Sequence, residues 1–241
     1  MLQSSSVQFP NSSDVYMPSE SLIELPTAYV DTTVFKFAAT ELIRYVGQEK
    51  RVKWGPIEDV GLVFTETVIN PNDNIKNIDL KLEVEVLPHL AEQGRTGRVR
   101  YVISDESQYE IWGLPALDSE TGTFYGAPLE FIESPFKYER VWGGIGIDGK
   151  AAQMDFLCSI KDKRFLAFQK AAGAYQGAQL PNRNQMIDAF HLWCAEYNNC
   201  DYFLTLDFSL IRALNRSKLK TDVRIVSPTD LYRVLSNPHG V

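Results

Sequence analysis

The spacing of apolar and polar positions changes several times along the chain, and each change predicts an element. In TAYVD, residues 27–31, a short apolar run stops at an acid, as a buried strand does. In VFKFAATELIRYV, residues 34–46, apolar positions recur at helical spacing and predict a helix. Residues 50–78 combine the strand-like GLVFTETVI with the turn-rich NPNDN. IDLKLEVEVLPHLAEQG, 78–94, predicts a helix that Pro88 can kink. Gly94 and Gly97 interrupt the chain before RVRYVIS, 98–104, which reads as a second strand. A helix follows from Ser104–Ser107 to about Gly113 or Pro115. Residues 115–150, rich in Gly, Pro and aromatics, have no clear period and read as loop or hairpin. Helices are predicted over 150–175, 184–198, 208–217 and 229–235, with strands over 201–206 and 222–227, the last stopped by Pro228. Residues 1–26, rich in Ser, Pro and Asn, read as an irregular extension.

Four strands alternating with helices predict an α/β domain with a mainly parallel sheet covered on both faces. Residues 27–241 read as a single domain with insertions around 50–78 and 115–180. In such sheets, sites lie beyond the carboxyl ends of the strands, where the strand order reverses. Three predicted strand ends carry or closely precede acids: Asp31, the Ser104–Glu110 segment and Asp207.

Each acid has a plain structural reading. Asp31 and Asp207 lie between a strand and a helix, where Asp is a favoured N-cap. Ser107 and Glu110 match the S-x-x-E capping box. Asp188 can serve as an acid in the first turn of its helix, favoured by the dipole.

The order of YVDTTVF, VISDESQYEI, MIDAFHLWCAEYNNCDYFLTLD and RIVSPTDL resembles the PIN-domain nucleases. That family has an Asp ending the first strand, a Ser followed six residues later by Glu, an Asp opening a later helix, and a Thr-x-Asp after the next strand. The resemblance covers about 27–47, 98–112 and 184–235 and implies a three-layer α/β/α fold with peripheral insertions. It points to Asp31, Glu110, Asp188 and Asp207 as catalytic metal ligands, with Ser104 and Thr205 as supporting hydroxyls. Thr33 stands where such proteins commonly carry Asn or Ser. Glu41, ten residues beyond Asp31 on the same predicted helix, is expected roughly 15 Å along its axis and too remote to compete with Glu110. Asp201 is expected about 20 Å from Asp207, at the other end of its strand.

Converging carboxylates repel, and Mg²⁺ or Mn²⁺ relieves that repulsion because hard cations prefer oxygen ligands. The implied activity is metal-dependent endonucleolytic hydrolysis of RNA, single-stranded RNA first. Two alternatives accompany it: a PIN-like module that binds RNA or a protein without cutting, and the toxin of a toxin–antitoxin pair with the antitoxin as partner.

Composition narrows the class. With 44% hydrophobic and 23% charged residues the chain reads as an ordinary globular protein. A net charge of −7 argues against indiscriminate nucleic-acid coating while allowing a local basic track. RALNRSKLK, which follows the helix opened by Asp207, is the best such track, with Arg216, Lys218 and Lys220 expected to bind substrate phosphates. No secretory signal or membrane span is read, and Cys158, Cys194 and Cys200 form no disulfide framework, so a cytoplasmic, reducing location is expected.

Other signals are weaker. GIGIDG, 144–149, spells G-x-G-x-x-G but lacks the second strand and acid of a dinucleotide site, and a tight turn accounts for it. His191, Cys194 and Cys200 without a CxxC pair make a poor zinc set, and Cys194 is expected in the core. Phe190, Trp193 and Tyr197 at helical spacing are expected to pack inside.

Overall fold

The computed structural model describes residues 25–112, 114, 123–136, 149–175 and 181–237. Most of the expected N-terminal extension and of GIGIDG lies outside the described residues. In chain order the elements are β1 (Thr27–Val30), α1 (Thr32–Ala38), β2 (Leu42–Trp54), β3 (Ile57–Ile69), α2 (Ile78–Arg95), β4 (Arg100–Ile103), α3 (Asp105–Trp112) and β5 (Leu129–Phe131). They continue with α4 (Gly149–Ser159), α5 (Lys163–Ala172), α6 (Arg183–Tyr197), β6 (Tyr202–Leu204), α7 (Phe208–Arg216), β7 (Arg224–Val226) and α8 (Pro228–Ser236).

Five strands form a parallel sheet in the order β5-β4-β1-β6-β7. Alternation along the strands divides the core. Tyr29, Val102 and Phe203 pack with α4, α5, α6 and α7 on one face, while Ala28, Val30, Tyr101, Ile103, Tyr202 and Leu204 pack with α1, α2 and α8 on the other. This is a three-layer α/β/α arrangement with apolar residues on both strand faces, as buried parallel strands require. The chain leaves central β1 toward β4 and β5, then crosses back to β6 and β7, so the order reverses at β1. The crevice at the carboxyl ends of β4, β1 and β6 is therefore the switch point.

Three predicted elements are corrected. The helix expected over 34–46 ends at Ala38, and residues 42–54 are strand. Asn72 Nδ2 donates to Phe37 O at 2.7 Å, satisfying a carbonyl at the helix end. Beyond it, 42–54 pairs residue for residue with 57–69 in a long antiparallel hairpin, closed by Gly55-Pro56 with Gly55 at φ 59°. A positive φ at the first turn position suits the twist of a two-residue hairpin, and glycine accepts it without strain. The insertion expected from residue 50 thus begins with this hairpin, whose β3 strand exposes Val60, Leu62, Phe64 and Val68. Alternation puts those four on one face, and the Phe64 ring lies over Gly47.

Residues 150–175 are two helices, because the Asp162 carboxylate caps α5 by accepting from Arg164 N and Phe165 N. The aperiodic 115–150 region contains β5, a three-residue parallel edge strand too short to show a period. Among the described residues no helix is long and apolar enough to cross a membrane.

Candidate functional site

Asp31 follows the last residue of β1 and is 1% exposed. It occupies the N-cap position of α1 but makes no side-chain capping bond. Its Oδ2 instead accepts from Thr33 Oγ1 at 2.5 Å and from Thr205 Oγ1 at 2.6 Å. Burial raises the Asp31 pKa, but the His191 imidazole and the two threonine hydroxyls outweigh it and hold the carboxyl below its ordinary value. A buried carboxylate kept ionised by dedicated donors is poorly explained as a helix cap.

Glu110 and Asp188 also depart from the capping readings. α3 begins at Asp105, so Ser107 and Glu110 lie inside the helix and form no capping box. Ser107 Oγ instead bonds Tyr29 Oη at 2.7 Å. Glu110 Oε2 accepts from Thr32 Oγ1 at 2.9 Å. α6 is capped by Asn182, which accepts from Asn184 N and Gln185 N, so Asp188 lies beyond the first turn. Its pKa is raised well above the ordinary value, first by burial and then by Asp31, Asp207 and Glu110, against the opposing pull of His191. All four acids therefore share one field, and Asp188 is held toward its neutral form.

Asp207 is a genuine cap. Its Oδ1 accepts from Ser209 N at 2.7 Å and Leu210 N at 3.0 Å. That work occupies one carboxylate oxygen and leaves the other available to a ligand. The capping and coordinating roles are compatible.

Of the two hydroxyls the resemblance singled out, Thr205 bonds Asp31 directly, whereas Ser104 bonds none of the four acids. Ser104 is fully buried and bonds Tyr29 Oη at 2.7 Å, which ties the ends of β1 and β4 together beneath the acids. The adjacent hydroxyls of Thr32 and Thr33 hold Glu110 and Asp31; the sequence pointed to Thr33 only as a departure from the family pattern and did not single out Thr32. His191, considered from sequence only as a poor zinc ligand, lies among the acids instead. The ring lies with Nδ1 3.7 Å from Asp31 Oδ1 and Nε2 4.0 Å from Glu110 Oε2. These are ion-pair separations too long for hydrogen bonds, and both buried ring nitrogens lack a hydrogen-bond partner. Burial opposes protonation of His191, but Asp31, Glu110 and Asp188 prevail and raise its pKa. The available signal was its i,i+3 spacing from Asp188, which places both on one face of α6.

Glu106 is a further buried acid, bonded by Gln153, which accepts in turn from Arg183. Glu41 lies beyond the end of α1 and is exposed, so the helical spacing used to set it aside does not apply. Asp201 Oδ2 accepts from Thr27 N at 2.8 Å, at the amino edge of the sheet. Cys194 is in the core as expected, and Phe190 and Trp193 are buried, but Tyr197 is exposed.

A cavity of about 540 Å³ opens beside Glu110, lined also by Thr32, Thr33, Lys36, Tyr109, Trp112, Lys150 and Arg183. Arg216, Lys218 and Lys220 do not line it; Arg216 ends α7, nine residues from Asp207, and the two lysines follow exposed.

The donors are of the hard oxygen type that suits Mg²⁺ or Mn²⁺, and their mutual repulsion favours a cation. As placed, no group of three or more His, Cys, Asp or Glu among the described residues is close enough to hold one ion. Asp31, Glu110, Asp188 and Asp207 would have to come closer together to share one cation. No protein-family model matches the chain, and comparison with curated proteins finds no match.

Proposed function

We propose that the chain is a PIN-like, Mg²⁺- or Mn²⁺-dependent endoribonuclease acting on single-stranded RNA. The observation that carries this reading is the state of Asp31. A buried carboxylate at the switch point is kept below its ordinary pKa by His191 and then by the Thr205 and Thr33 hydroxyls, although the helix it precedes offers amide donors it does not use. The electrostatic coupling of Asp188 to Asp31, Glu110 and Asp207 adds three acids to the same crevice.

Asp31, Glu110, Asp188 and Asp207 would hold the metal, which when bound supplies Lewis acidity and a water nucleophile for phosphodiester hydrolysis. Thr33 and Thr205 fix Asp31, and Thr32 fixes Glu110, so two ligands are orientated by short hydroxyl bonds from residues that open α1 and follow β6. Asp207 is held by the first turn of α7. Asp188, its pKa raised by burial and by the neighbouring acids, is suited to hold a proton when the site carries no cation.

One observation favours the second reading, a module that binds RNA or protein without cutting. Protonated His191 between Asp31 and Glu110 can offset part of the cluster's negative charge without a metal. Incubating the purified protein with mixed RNA, with Mn²⁺ and with chelator, separates the two. Cleavage that appears with Mn²⁺ and disappears with chelator supports the nuclease; intact RNA under both conditions supports the binding module.

A further inference from the structure

The β2–β3 hairpin takes no part in the acid site, and its construction leaves it incomplete. Its strands of 13 residues pair throughout without a bulge. At about 3.4 Å per residue the hairpin is roughly 44 Å long. It forms a sheet of its own, so both strands are edges. Among the described residues no other element packs along it, and neither apolar core contains one of its residues. A two-stranded ribbon by itself is marginal in water and gains independent stability only from further strands or a covering layer. On β3, Val60, Leu62, Phe64 and Val68 share one face and are between 56% and 66% exposed.

The two edges differ. β2 carries Glu49, Lys50, Arg51 and Lys53 near the tip, and charged side chains, Lys above all, are what keep an edge strand from pairing with another chain. β3 has no Lys, Arg or Pro and no bulge, so the usual obstacles to a further strand are missing there.

We propose that β3 pairs with β3 of a second copy of the chain, antiparallel and about a twofold axis at Phe64, making one four-stranded sheet in the order β2-β3-β3-β2. β3 is complementary to itself in that register. Val60 comes opposite Val68 and Phe64 opposite Phe64, so the two apolar stripes adjoin on one face and pair across the strands. Glu58, Asp59 and Glu66 come opposite Asn70, Ile69 and Leu62, so no acid faces an acid. A twofold contact of this kind closes after two copies, because each copy spends its one receptive edge. The inference is independent of the hydrolase reading, since no residue of the hairpin belongs to the acid cluster.

The test is sedimentation velocity of the full chain over a range of micromolar concentrations, for the parent, Phe64→Lys, Phe64→Glu and an equimolar mixture of the two variants. The parent is expected to form a dimer that dissociates on dilution. Each variant alone sets like charges opposite each other at the axis and should dimerise at least about tenfold more weakly. The mixture sets Lys against Glu and should recover the dimer, less tight than the parent but tighter than either variant alone. Residue 64 is exposed and outside both cores, so an unchanged melting curve of the dilute protein checks that each variant is folded. A parent that stays monomeric at the highest concentration overturns the proposal. Variants that dimerise like the parent also overturn it, by placing the interface elsewhere. So does a mixture no tighter than its components, because position 64 then does not face its copy. Species larger than a dimer in the parent would show that the β2 edge pairs as well, and would overturn the closed dimer.

Discussion

Thr205 donates its hydroxyl to Asp31 Oδ2 at 2.6 Å, joining residues 174 positions apart at the carboxyl ends of neighbouring strands β6 and β1. The bond fixes a buried carboxylate in place and lowers its pKa. Thr205→Val keeps the shape and removes the donor. Unfolding experiments should show a loss of about 1–3 kcal/mol, the range for a buried polar group deprived of a partner. Thr205→Ser should restore most of it. A Val variant as stable as the parent would mean that Asp31 does not depend on this bond.

Asp207 separates capping from coordination. Asn caps a helix about as well as Asp, whereas Ala costs about 1 kcal/mol. Asp207→Asn should therefore melt like the parent without metal, or slightly above it as repulsion with Asp188 falls. Asp207→Ala should melt lower. If Asp207 also binds a cation, the Asn variant loses metal-induced stabilisation and RNA cleavage. Retention of parental cleavage would leave it a cap alone.

The pH dependence of the metal-free protein follows from three shifted groups. Asp31 has a lowered folded pKa, so its contribution is present above the ordinary 3.8 and is lost as pH falls through the folded value. Asp188 is shifted the other way. Its contribution is complete below 3.8 and is lost as pH rises through a folded value well above it. His191 behaves similarly, with stabilisation complete below 6.5 and lost as pH rises through its raised folded pKa. Melting temperature in chelator should thus decline as pH rises beyond 6.5. His191→Gln should flatten that upper decline, and Asp188→Asn should flatten the loss that begins nearer 3.8. A parent that gains stability from pH 6.5 upward would contradict these assignments.

Helix α2 meets β4 with no room for a methyl group. A Cβ at Gly94 would lie 2.7 and 2.8 Å from ring carbons of Tyr101, which is buried and tied by its hydroxyl to Leu90 O. Overpacking of this kind costs about 1–3 kcal/mol, more than the gain of up to about 1 kcal/mol in helix propensity from Gly to Ala. Gly94→Ala should lower the melting temperature, and an unchanged or higher value would show that the ring can move aside.

The parallel α/β architecture was legible because β1, β4 and β6 are short apolar runs followed by helical periodicity. The hairpin was not. LIRYVGQEKRVKW mixes both periods, and only its pairing with 57–69 decides for strand. β5 was hidden because three residues carry no period. The four acids that the structure couples electrostatically stand out in sequence because each follows a strand or sits at a characteristic spacing. Their environments do not. Asp31, Asp188 and Asp207 all look like helix-start acids in sequence, yet only Asp207 makes a side-chain cap. Local sequence does not record that Thr205 spends its hydroxyl on Asp31, or that His191 lies between Asp31 and Glu110. Both relationships are made by tertiary packing.

The central claim is that Asp31, Glu110, Asp188 and Asp207 form one cation-binding, RNA-cleaving centre. Its most direct test is Mn²⁺ titration of the parent and of Asp188→Asn, with the melting temperature and RNA cleavage followed in the same samples. A ligand bound only by the folded state raises the midpoint by mass action, by about 2.7 kcal/mol at a hundredfold excess over Kd. The parent is expected to gain stability and begin to cut RNA over the same Mn²⁺ range. Asp188→Asn should be at least as stable without metal, gain little with it, and fail to cut. A parent that neither gains stability nor cleaves RNA at millimolar Mn²⁺, or an Asp188→Asn variant that does both like the parent, would contradict the claim.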